Sequence, residues 1–514
     1  MPDNIRTFPV ACGGGLVNNL DPITHSRSLP GSASRMINYE PALFGGYRRI
    51  SGFTNDYGTL PGTGGVLGIS VFSNLNDGIF GCRAPSTGNN YFHYWDNTAQ
   101  SWQTPSTSGS PTMTGVSKVR FAKLYWAVPK LVLVDGVNPA ATWDGTTYTQ
   151  ITDPNAPTDP SLVEDFSSHL FLAGDPSEPY NIYFSAPFTE SDFDPANGAG
   201  VINVGFEVKQ LKAFRDVLYV FGSNQIKRIT GTSIADFTVR EVTNNLGTTS
   251  PDSVIEFNAD LIFLGPDGMR PVSATDRIGD IELGTVSKPV QNLFEQYTRD
   301  EDLSTVTVIP IRKKSQFRLF FSDQEALGLI GAVKGSSQTG SVFEYSQLIG
   351  MEVNAADSGY LGDEEFVIHG DGSGLVYRQE SGNDFNGTAI TSVYRTPFLF
   401  MDDPLIRKNF YDITTYLRAE GAVTITLGVA YNYEDTENVL NPTDYSISNE
   451  GAAAIYNTGI YDQGFIYDGN PSPVRRSTIS GSGDSIALTY VTTTSQPSHT
   501  IQALAVSYGL GDRR

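Results

Sequence analysis

Short apolar segments that stop at a glycine or an aspartate recur along most of this chain. Each is rich in aromatic and branched residues and is followed by a turn and a more polar segment, which is typical of β-strands in hairpins. The repeat distance is about 40 residues, the length of one four-stranded blade of a β-propeller. Seven such segments occur, at residues 79–82, 131–136, 170–174, 218–222, 261–265, 319–323 and 366–370.

These repeats predict an all-β protein built on a β-propeller of about six or seven blades. A segment that is apolar throughout fits the inner part of a blade, where both faces pack on neighbouring blades. Residues 218–221 and 261–264 are therefore predicted to be buried inner strands of adjacent blades. A pair of β-sandwiches with coincidental spacing stays open as an alternative, because the chain has no WD or kelch signature.

The character of the sequence changes twice, which divides the chain into three parts. Residues 1–55 are dominated by turn residues and are predicted to form an extended N-terminal arm. Residues 56–385 carry the repeats and are predicted to form the propeller body, with an amphipathic helix at 289–297 packed on a blade. Residues 386–514 contain strands that alternate apolar and polar side chains, and are predicted to form a C-terminal β-sandwich or small barrel.

Composition fits this class of fold and argues against several functions. The chain has 514 residues with 52 glycines and 29 prolines, and its formal net charge is −22. An acidic surface repels nucleic acid, whose phosphates bind Lys and Arg. No apolar stretch is long enough to span a bilayer, and the start of the sequence lacks a signal-peptide layout, which predicts a protein made in the cytoplasm. The two cysteines, Cys12 and Cys82, are predicted to be buried thiols.

No arrangement of residues indicates catalysis, a cofactor or a metal. The sequence contains no HExxH, CxxC or GxSxG motif, and no Gly-Lys pair for a phosphate-binding loop. Its five histidines are scattered. Adjacent carboxylates such as Glu364 and Glu365, or Asp402 and Asp403, are expected to point to opposite faces of a strand, so these pairs do not share one site. The sequence therefore predicts no enzymatic activity, no cofactor and no bound metal.

Two further features carry candidate sites. Residues 153–194 hold nine Asp or Glu and no Lys or Arg, which indicates either a solvated loop or a surface that repels DNA. A Tyr- and Gly-rich segment at 456–469 is too apolar to lie bare in water and is predicted to contact another domain or subunit. The candidate acidic channel lining is Asp153, Asp159, Glu164, Asp165, Asp175 and Glu178, and the candidate contact residues are Tyr456, Tyr461, Phe465 and Tyr467.

Three parts of the chain resemble the tail nozzle and hub proteins of short-tailed bacteriophages, also called tail-stabilisation or tail-tubular proteins. The central part comprises LYVFGSNQI at 218–226, ADF at 235–237, SPDSV at 250–254 and LIFLGPDG at 261–268. The opening part runs from Pro30 and Gly31 through Asn38 to GGYRRISG at 45–52. The closing part is YGLGDRR at 508–514.

The resemblance implies a β-propeller body, a homo-hexameric ring below the tail adaptor protein, and a channel for genome exit. Tail fibre or needle proteins are further implied partners, and genomic DNA passes through without specific binding. The leading hypothesis is a structural virion protein, assembled in the host cytoplasm, that closes and then conducts the DNA channel during ejection.

Two alternatives remain beside this hypothesis. The first is a carbohydrate-active or receptor-binding propeller that acts on the host cell envelope. A carbohydrate-active site requires two or more acids from different blades to meet at one mouth. The second alternative is a secreted binding propeller, which the absence of a signal-peptide layout disfavours.

Overall fold

The fold is described from a computed structural model of the chain. It covers residues 5–43, 45–86, 90–109, 115, 118–248, 250–273, 285–300, 302–321, 326–337, 340–401, 403–433, 445–449 and 474–513. Strands dominate this part of the chain, and neither of its two α-helices is long and apolar enough to cross a membrane.

The first 55 residues contribute one helix and five short strands. The helix begins after Asp21, whose carboxylate accepts hydrogen bonds from the backbone N–H groups of Ile23 and Thr24. In chain order the elements are β1 (Arg6–Ala11), α1 (Pro22–Ser28), β2 (Arg35–Ile37), β3 (Tyr39–Pro41), β4 (Tyr47–Arg49) and β5 (Phe53–Thr54).

Four antiparallel sheets follow, which we call blades one to four. Blade one contains β6 (Thr63–Val71), β7 (Ile79–Ala84), β8 (Phe92–Asp96) and β9 (Ser101–Gln103). Blade two contains β11 (Arg120–Leu124), β12 (Lys130–Val134), β13 (Ala141–Trp143) and β14 (Thr147–Gln150), with β10 (Ser106–Ser108) added in parallel at its outer edge. Blade three contains β15 (Leu162–Phe166), β16 (His169–Ala173), β17 (Asn181–Phe184) and β18 (Gly200–Asn203). Blade four contains β19 (Gln210–Phe214), β20 (Val217–Phe221), β21 (Ile226–Thr230) and β22 (Thr238–Thr243).

Blades five to seven complete the ring. Blade five contains β23 (Ile255–Phe257), β24 (Asp260–Gly265) and β25 (Gly268–Pro271), and α2 (Gln291–Asp300) packs near β25. Blade six contains β26 (Thr307–Ile311), β27 (Gln316–Phe320), β28 (Leu327–Ser337) and β29 (Gly340–Ile349). Blade seven contains β30 (Ala355–Leu361), β31 (Glu364–Gly370) and β32 (Val376–Gln379), and its fourth strand is β5. Short 3-10 turns lie at Pro195–Asn197, Pro251–Ser253, Lys288–Val290, Leu303–Thr305 and Arg312–Lys314.

The remaining strands form a β-sandwich that is continuous with blade six. They are β33 (Ile390–Arg395), β34 (Ile406–Ala419), β35 (Val423–Tyr431), β36 (Tyr445–Asn449), β37 (Val474–Gly483), β38 (Ile486–Thr494) and β39 (His499–Arg513). One sheet runs β3-β4-β39-β34-β37, and β1 also pairs with β39. The second sheet continues from blade six in the order β29-β2-β33-β38-β35-β36. A single hydrophobic core joins both sheets to blades five and six.

The ring is closed by pairing between the two distant parts of blade seven. Phe53 and Thr54 of β5 lie opposite Gln379 and Arg378 of β32. The residue before this strand, Gly52, has no room for a side chain. A Cβ at this position would lie 1.8 Å from the carbonyl oxygen of Asp384. The predicted boundaries at residues 55 and 385 stay predictions, and the sheets show that strands from all three segments pair with one another.

The repeats in the sequence correspond to seven blades, which confirms the predicted all-β propeller. Each of the seven apolar segments overlaps the second strand of its blade, and hydrophobic clusters fill the spaces between adjacent blades. Residues 218–221 and 261–264 do lie in adjacent blades, and all but the half-buried Tyr219 are buried. They are not the strands nearest the axis, however. In each blade the first strand, or the residues next to it, takes that place and borders the axial cavity.

The predicted helix is also present, and the α-helix begins two residues later than expected. Its apolar face of Val290, Leu293, Phe294 and Tyr297 is buried, and the α-helix proper begins at Gln291 after a 3-10 turn. The hydroxyl of Ser287 accepts a hydrogen bond from the N–H of Met269 and does not cap the helix. Cys12 and Cys82 are both buried free thiols, as predicted.

We predict that Phe263→Ala lowers the free energy of unfolding by about 3–5 kcal/mol. Phe263 is fully buried, and its ring centroid lies 5.4 Å from that of Phe221 in the core between blades four and five. Denaturant unfolding measures the change. Val239→Ala on β22, where the side chain is 39% exposed, is the control and should change stability by no more than about 0.5 kcal/mol. Equal effects of the two substitutions would contradict the core position of Phe263.

Candidate functional site

The axial cavity of the propeller is the site to which the greatest number of chain segments contribute. Its volume is about 480 Å³, and residues at or next to the first strand of each of the seven blades line it. Eight charged side chains are among the lining residues, and their formal charges sum to zero. The cationic ones are Lys118, Arg120, Lys123 and Lys212, and the acidic ones are Glu164, Asp165, Asp252 and Asp357.

One set of ion pairs in the cavity joins blade two to blade five. Asp252 lies in the turn before β23, and its carboxylate is 2.9 Å from the Lys118 ammonium and 2.7 Å from the Arg120 guanidinium. A second guanidinium N–H of Arg120 donates to the other carboxylate oxygen at 3.0 Å, which makes the pair bidentate. Burial alone would raise the pKa of Asp252, but the charges of Arg120 and Lys118 hold it well below its usual range.

Two more ion pairs join further blades. Lys123 of blade two reaches Asp357 of blade seven, with 2.7 Å between nitrogen and oxygen, and Asp357 also accepts the N–H of Val71 in blade one. Lys212 of blade four is 2.9 Å from Glu164 of blade three. We call Lys118, Arg120, Lys123, Lys212, Glu164, Asp252 and Asp357 the axial ion pairs. With the hydrogen bonds from Lys118 to Thr307 of blade six and from Val71 of blade one to Asp357, their contacts include residues of all seven blades.

Asp165 differs from the other cavity acids because its hydrogen-bond partner, Trp126, is neutral. Its carboxylate accepts a hydrogen bond from the indole N–H of Trp126 at 3.2 Å. Burial raises the pKa of Asp165 from 3.8 to about 6, the bond from Trp126 opposes the shift, and the nearby charge of Glu164 adds to it. The protonated form of this acid is therefore favoured at pH values where an exposed aspartate is ionised.

The structure separates the six candidate lining acids into two groups. Glu164 and Asp165 face the axial cavity. Asp153, Asp159, Asp175 and Glu178 lie outside it, in the loop before β15 and the turn after β16. Asp175 is buried and accepts hydrogen bonds from the N–H groups of Thr158, Asp159 and Ser177, so it has a structural role in joining these two loops.

The other candidate residues can be placed only in part. Tyr456, Tyr461, Phe465 and Tyr467 lie outside the described residues, so their contact role stays a prediction. Within the described part of the chain, no group of three or more His, Cys, Asp or Glu side chains could hold a metal ion.

Sequence reasoning missed the cationic half of the cavity and two of its acids. The signal was present in the first strands of blades two, three and four. Lys and Arg interrupt β11 (RFAKL) and β19 (QLKAF), and Glu and Asp interrupt β15 (LVEDF), just before the apolar second strand. Charged residues in the middle of a strand inside a propeller indicate a water-filled axis, because a buried charge needs a partner or solvent.

Comparison with known proteins adds little to this description. No family model and no curated protein matches the chain. Similar solved structures include the extracellular domain of a one-component system from B. thetaiotaomicron (TM-score 0.41, 12% identity, 72% of this chain and 44% of that one). They also include an ancestral GH74 enzyme (TM-score 0.40, 11% identity, 67% of this chain and 50% of that one). A third is the WD40 β-propeller domain of Doa1 (TM-score 0.36, 9% identity, 64% of this chain and 96% of that one). The chain thus matches half or less of the length of the first two, and the assignment of the propeller rests on the sheets themselves.

We predict that Asp252→Asn destabilises the protein by roughly 2–4 kcal/mol at neutral pH, somewhat less than the loss of a fully buried pair. The substitution leaves Lys118 and Arg120 without their counter-charge. Because the pKa of Asp252 is lowered on folding, this stabilisation is present at neutral pH and is lost as the pH falls below about 4. Denaturant unfolding at pH 7 and pH 3 measures both effects. Glu207→Gln, which breaks the exposed pair with Lys209, is the control and should cost less than about 1 kcal/mol.

We predict the opposite pH dependence for Asp165→Asn. The raised pKa means that the folded protein binds more protons than the unfolded chain between about pH 4 and pH 6, so ionised Asp165 lowers stability as the pH rises. The variant should therefore gain stability relative to the wild type on going from pH 4 to pH 7. Paired denaturation curves at the two pH values test this, with the half-buried loop variant Asp159→Asn as control. Parallel pH profiles for wild type and Asp165→Asn would contradict it.

Proposed function

We propose that this protein is a structural virion subunit of the tail nozzle or hub type. The supporting observation is that the opening segment pairs with the start of β39, the same strand whose end carries the closing segment. Arg48 and Tyr47 of β4 pair with Thr500 and Ile501 of β39, and the hydroxyl of Tyr39 is 2.7 Å from the imidazole of His499. Motifs at two distant places in the sequence thus serve one structural unit.

A buried charge cluster attaches that unit rigidly to the propeller. Glu40 of β3 is 2% exposed and accepts hydrogen bonds from Arg48, Lys314 and Gln316 at 3.1, 2.6 and 3.0 Å. Arg318 of blade six lies 3.6 Å from the same carboxylate and also donates to Gln379 of blade seven. Three parts of the molecule therefore share one set of charges, which suits a subunit that must carry load without changing shape.

The proposed DNA channel runs between copies of the chain and not along the axis of one propeller. The axial ion pairs cross that axis, and a duplex could not pass without breaking them. Glu164 and Asp165 face this internal cavity, so the candidate acids outside it, among them Asp159 and Glu178, are the better choice for a surface that DNA slides past. A lining poor in Lys and Arg suits sliding, because basic contacts bind the phosphate backbone.

The enzymatic alternative has one observation in its favour. Acids from three blades, Glu164 and Asp165, Asp252, and Asp357, do meet in one cavity. Glycoside hydrolysis needs two carboxylates that act on the same bond. Glu164, Asp252 and Asp357 are held in ion pairs with Lys or Arg, which leaves Asp165 as the acid suited to proton transfer. We therefore propose a structural role and no hydrolytic activity.

The mass of the purified assembly tests the proposed ring. One chain is 55.7 kDa, and native mass measurement, alone and with the tail adaptor protein, should give six copies. A monomer under both conditions would overturn the nozzle proposal.

We predict that particles carrying Asp159→Lys and Glu178→Lys assemble normally but eject DNA more slowly. The two substitutions add basic groups to loops of the acidic blade three, where they can hold phosphates. Free wild-type protein should not retard duplex DNA in a mobility shift at low salt. Particles with Glu241→Lys and Glu295→Lys, at exposed positions on β22 and α2, carry the same change in charge and serve as the control. Unchanged ejection by the first pair would show that these acids are an ordinary solvated surface.

A further inference from the structure

Tyr125 lines the axial cavity, and two further aromatic rings lie next to its lining. Trp126 donates a hydrogen bond to the cavity residue Asp165, and Phe188 packs on Trp126. Tyr125 and Trp126 lie in the turn between β11 and β12, and Tyr125 lines the cavity while remaining 65% exposed. Phe188 comes from the loop between β17 and β18, is 69% exposed, and lies with its ring centroid 6.3 Å from that of Trp126. We call Tyr125, Trp126 and Phe188 the aromatic mouth. Exposed aromatic rings grouped beside a cavity are typical of binding sites.

Phe188 is held in a backbone conformation that a bulky residue rarely adopts. Its φ is +57°, in the left-handed region. The N–H of Phe188 donates to the carbonyl of Ser168 at 2.8 Å, and the nearby ion pair between Lys130 and Glu190 ties its loop to blade two. Burial of the ring does not account for this conformation, because the ring is mostly exposed. Backbone strain of this kind is concentrated at functional sites.

The charges below the aromatic mouth specify what kind of ligand fits. Four cationic and four acidic side chains line the cavity, so its net formal charge is zero. A charged ligand gains no net attraction there and would have to displace one partner of an ion pair, which is costly for partly buried groups. A neutral ligand with many hydroxyl groups can donate to the carboxylates and accept from the ammonium groups without displacing either.

We propose that the aromatic mouth and the cavity behind it bind an uncharged sugar residue, as part of a neutral glycan. Sugar rings have apolar C–H faces that stack on aromatic side chains, and hydroxyl groups around their rims. Tyr125 and Phe188 supply exposed aromatic faces, and the bond from Trp126 to Asp165 fixes the third ring. The ammonium of Lys123 has three N–H donors, of which one is used in its bond to Asp357, and it lies in the same cavity. A volume of about 480 Å³ is in the range of small-molecule sites.

This binding site is independent of the proposed conduit between copies. It uses the internal axis of a single chain, and it needs neither a hexamer nor DNA. It also requires binding alone, because the ion pairs that hold three of the four acids leave no second carboxylate for hydrolysis.

Saturation-transfer NMR tests the proposal with the full chain and four neutral hexasaccharides, those of glucose, mannose, galactose and N-acetylglucosamine. At least one should receive saturation from the wild type. Tyr125→Ala and Phe188→Ala should each weaken that binding by about tenfold or more, and Tyr125→Phe, which keeps the ring, should preserve it. Tyr180 lies in a turn at the opposite end of blade three and is 51% exposed. Tyr180→Ala should bind like the wild type, and it controls for the general loss of an exposed aromatic group.

Three results would overturn the proposal. The first is that none of the four oligosaccharides receives saturation, and the second is that Tyr125→Ala binds as well as the wild type. The third is that only an anionic oligosaccharide, such as a sulfated hexasaccharide, receives saturation. Thermal melting of each variant separates lost binding from lost folding, and if Tyr125→Ala is unfolded, a comparison of Tyr125→Phe with Phe188→Ala decides the question.

Discussion

A ring of blades holds together only if its last blade is complete, and here two residues from near the start of the chain complete it. Phe53 and Thr54 pair with the outer strand of blade seven. The ring of Phe53 stacks on Phe385 with 5.0 Å between centroids and meets Tyr377 and His369 edge-on. The same stretch of chain has just supplied strands to both sheets of the sandwich. Closure of the propeller and assembly of the sandwich are therefore parts of one event, and neither unit is complete without the other.

The second constraint is electrostatic. The first strand of each blade has one edge toward water in the axis, so it can carry charges there, whereas a charge on a second strand, such as Arg318 of blade six, is buried and depends on ionic partners. Those charges are balanced across the cavity by Lys and Arg from blade two and acids from blades five and seven. A chain with a formal net charge of −22 thus has a neutral interior axis, and its excess of acid lies elsewhere.

The fold could be predicted from the sequence further than the site could. Apolar segments such as 131–136 and 218–222 recur at blade length because the second strand of each blade meets the same environment. That regularity involves residues close together in the chain, so it can be seen in the sequence. The site depends on pairs such as Arg120 with Asp252 and Lys123 with Asp357, which are brought together only by ring closure. The sequence also shows no sign that Glu164 and Asp165 differ from the other acids of residues 153–194, because only the folded ring places these two in the cavity. Alternation along β15 and the loops around it turns these acids toward different surroundings.

The pairing of distant segments sets the order in which the molecule can be built. The hydrogen bond from Tyr39 to His499 joins residues 460 positions apart. At a synthesis rate of ~5–20 residues per second, the early strands wait roughly 20–90 s for their partners. During that interval blades one to six can form from contiguous segments as they emerge. β3 and β4 can pair with each other, but β1 and the free edge of β4 wait for β39, and β2 and β5 wait for blades six and seven. The early segment is thus the part of the nascent chain most exposed to aggregation, and a chaperone that shields it until the late strands emerge would raise the yield of folded protein.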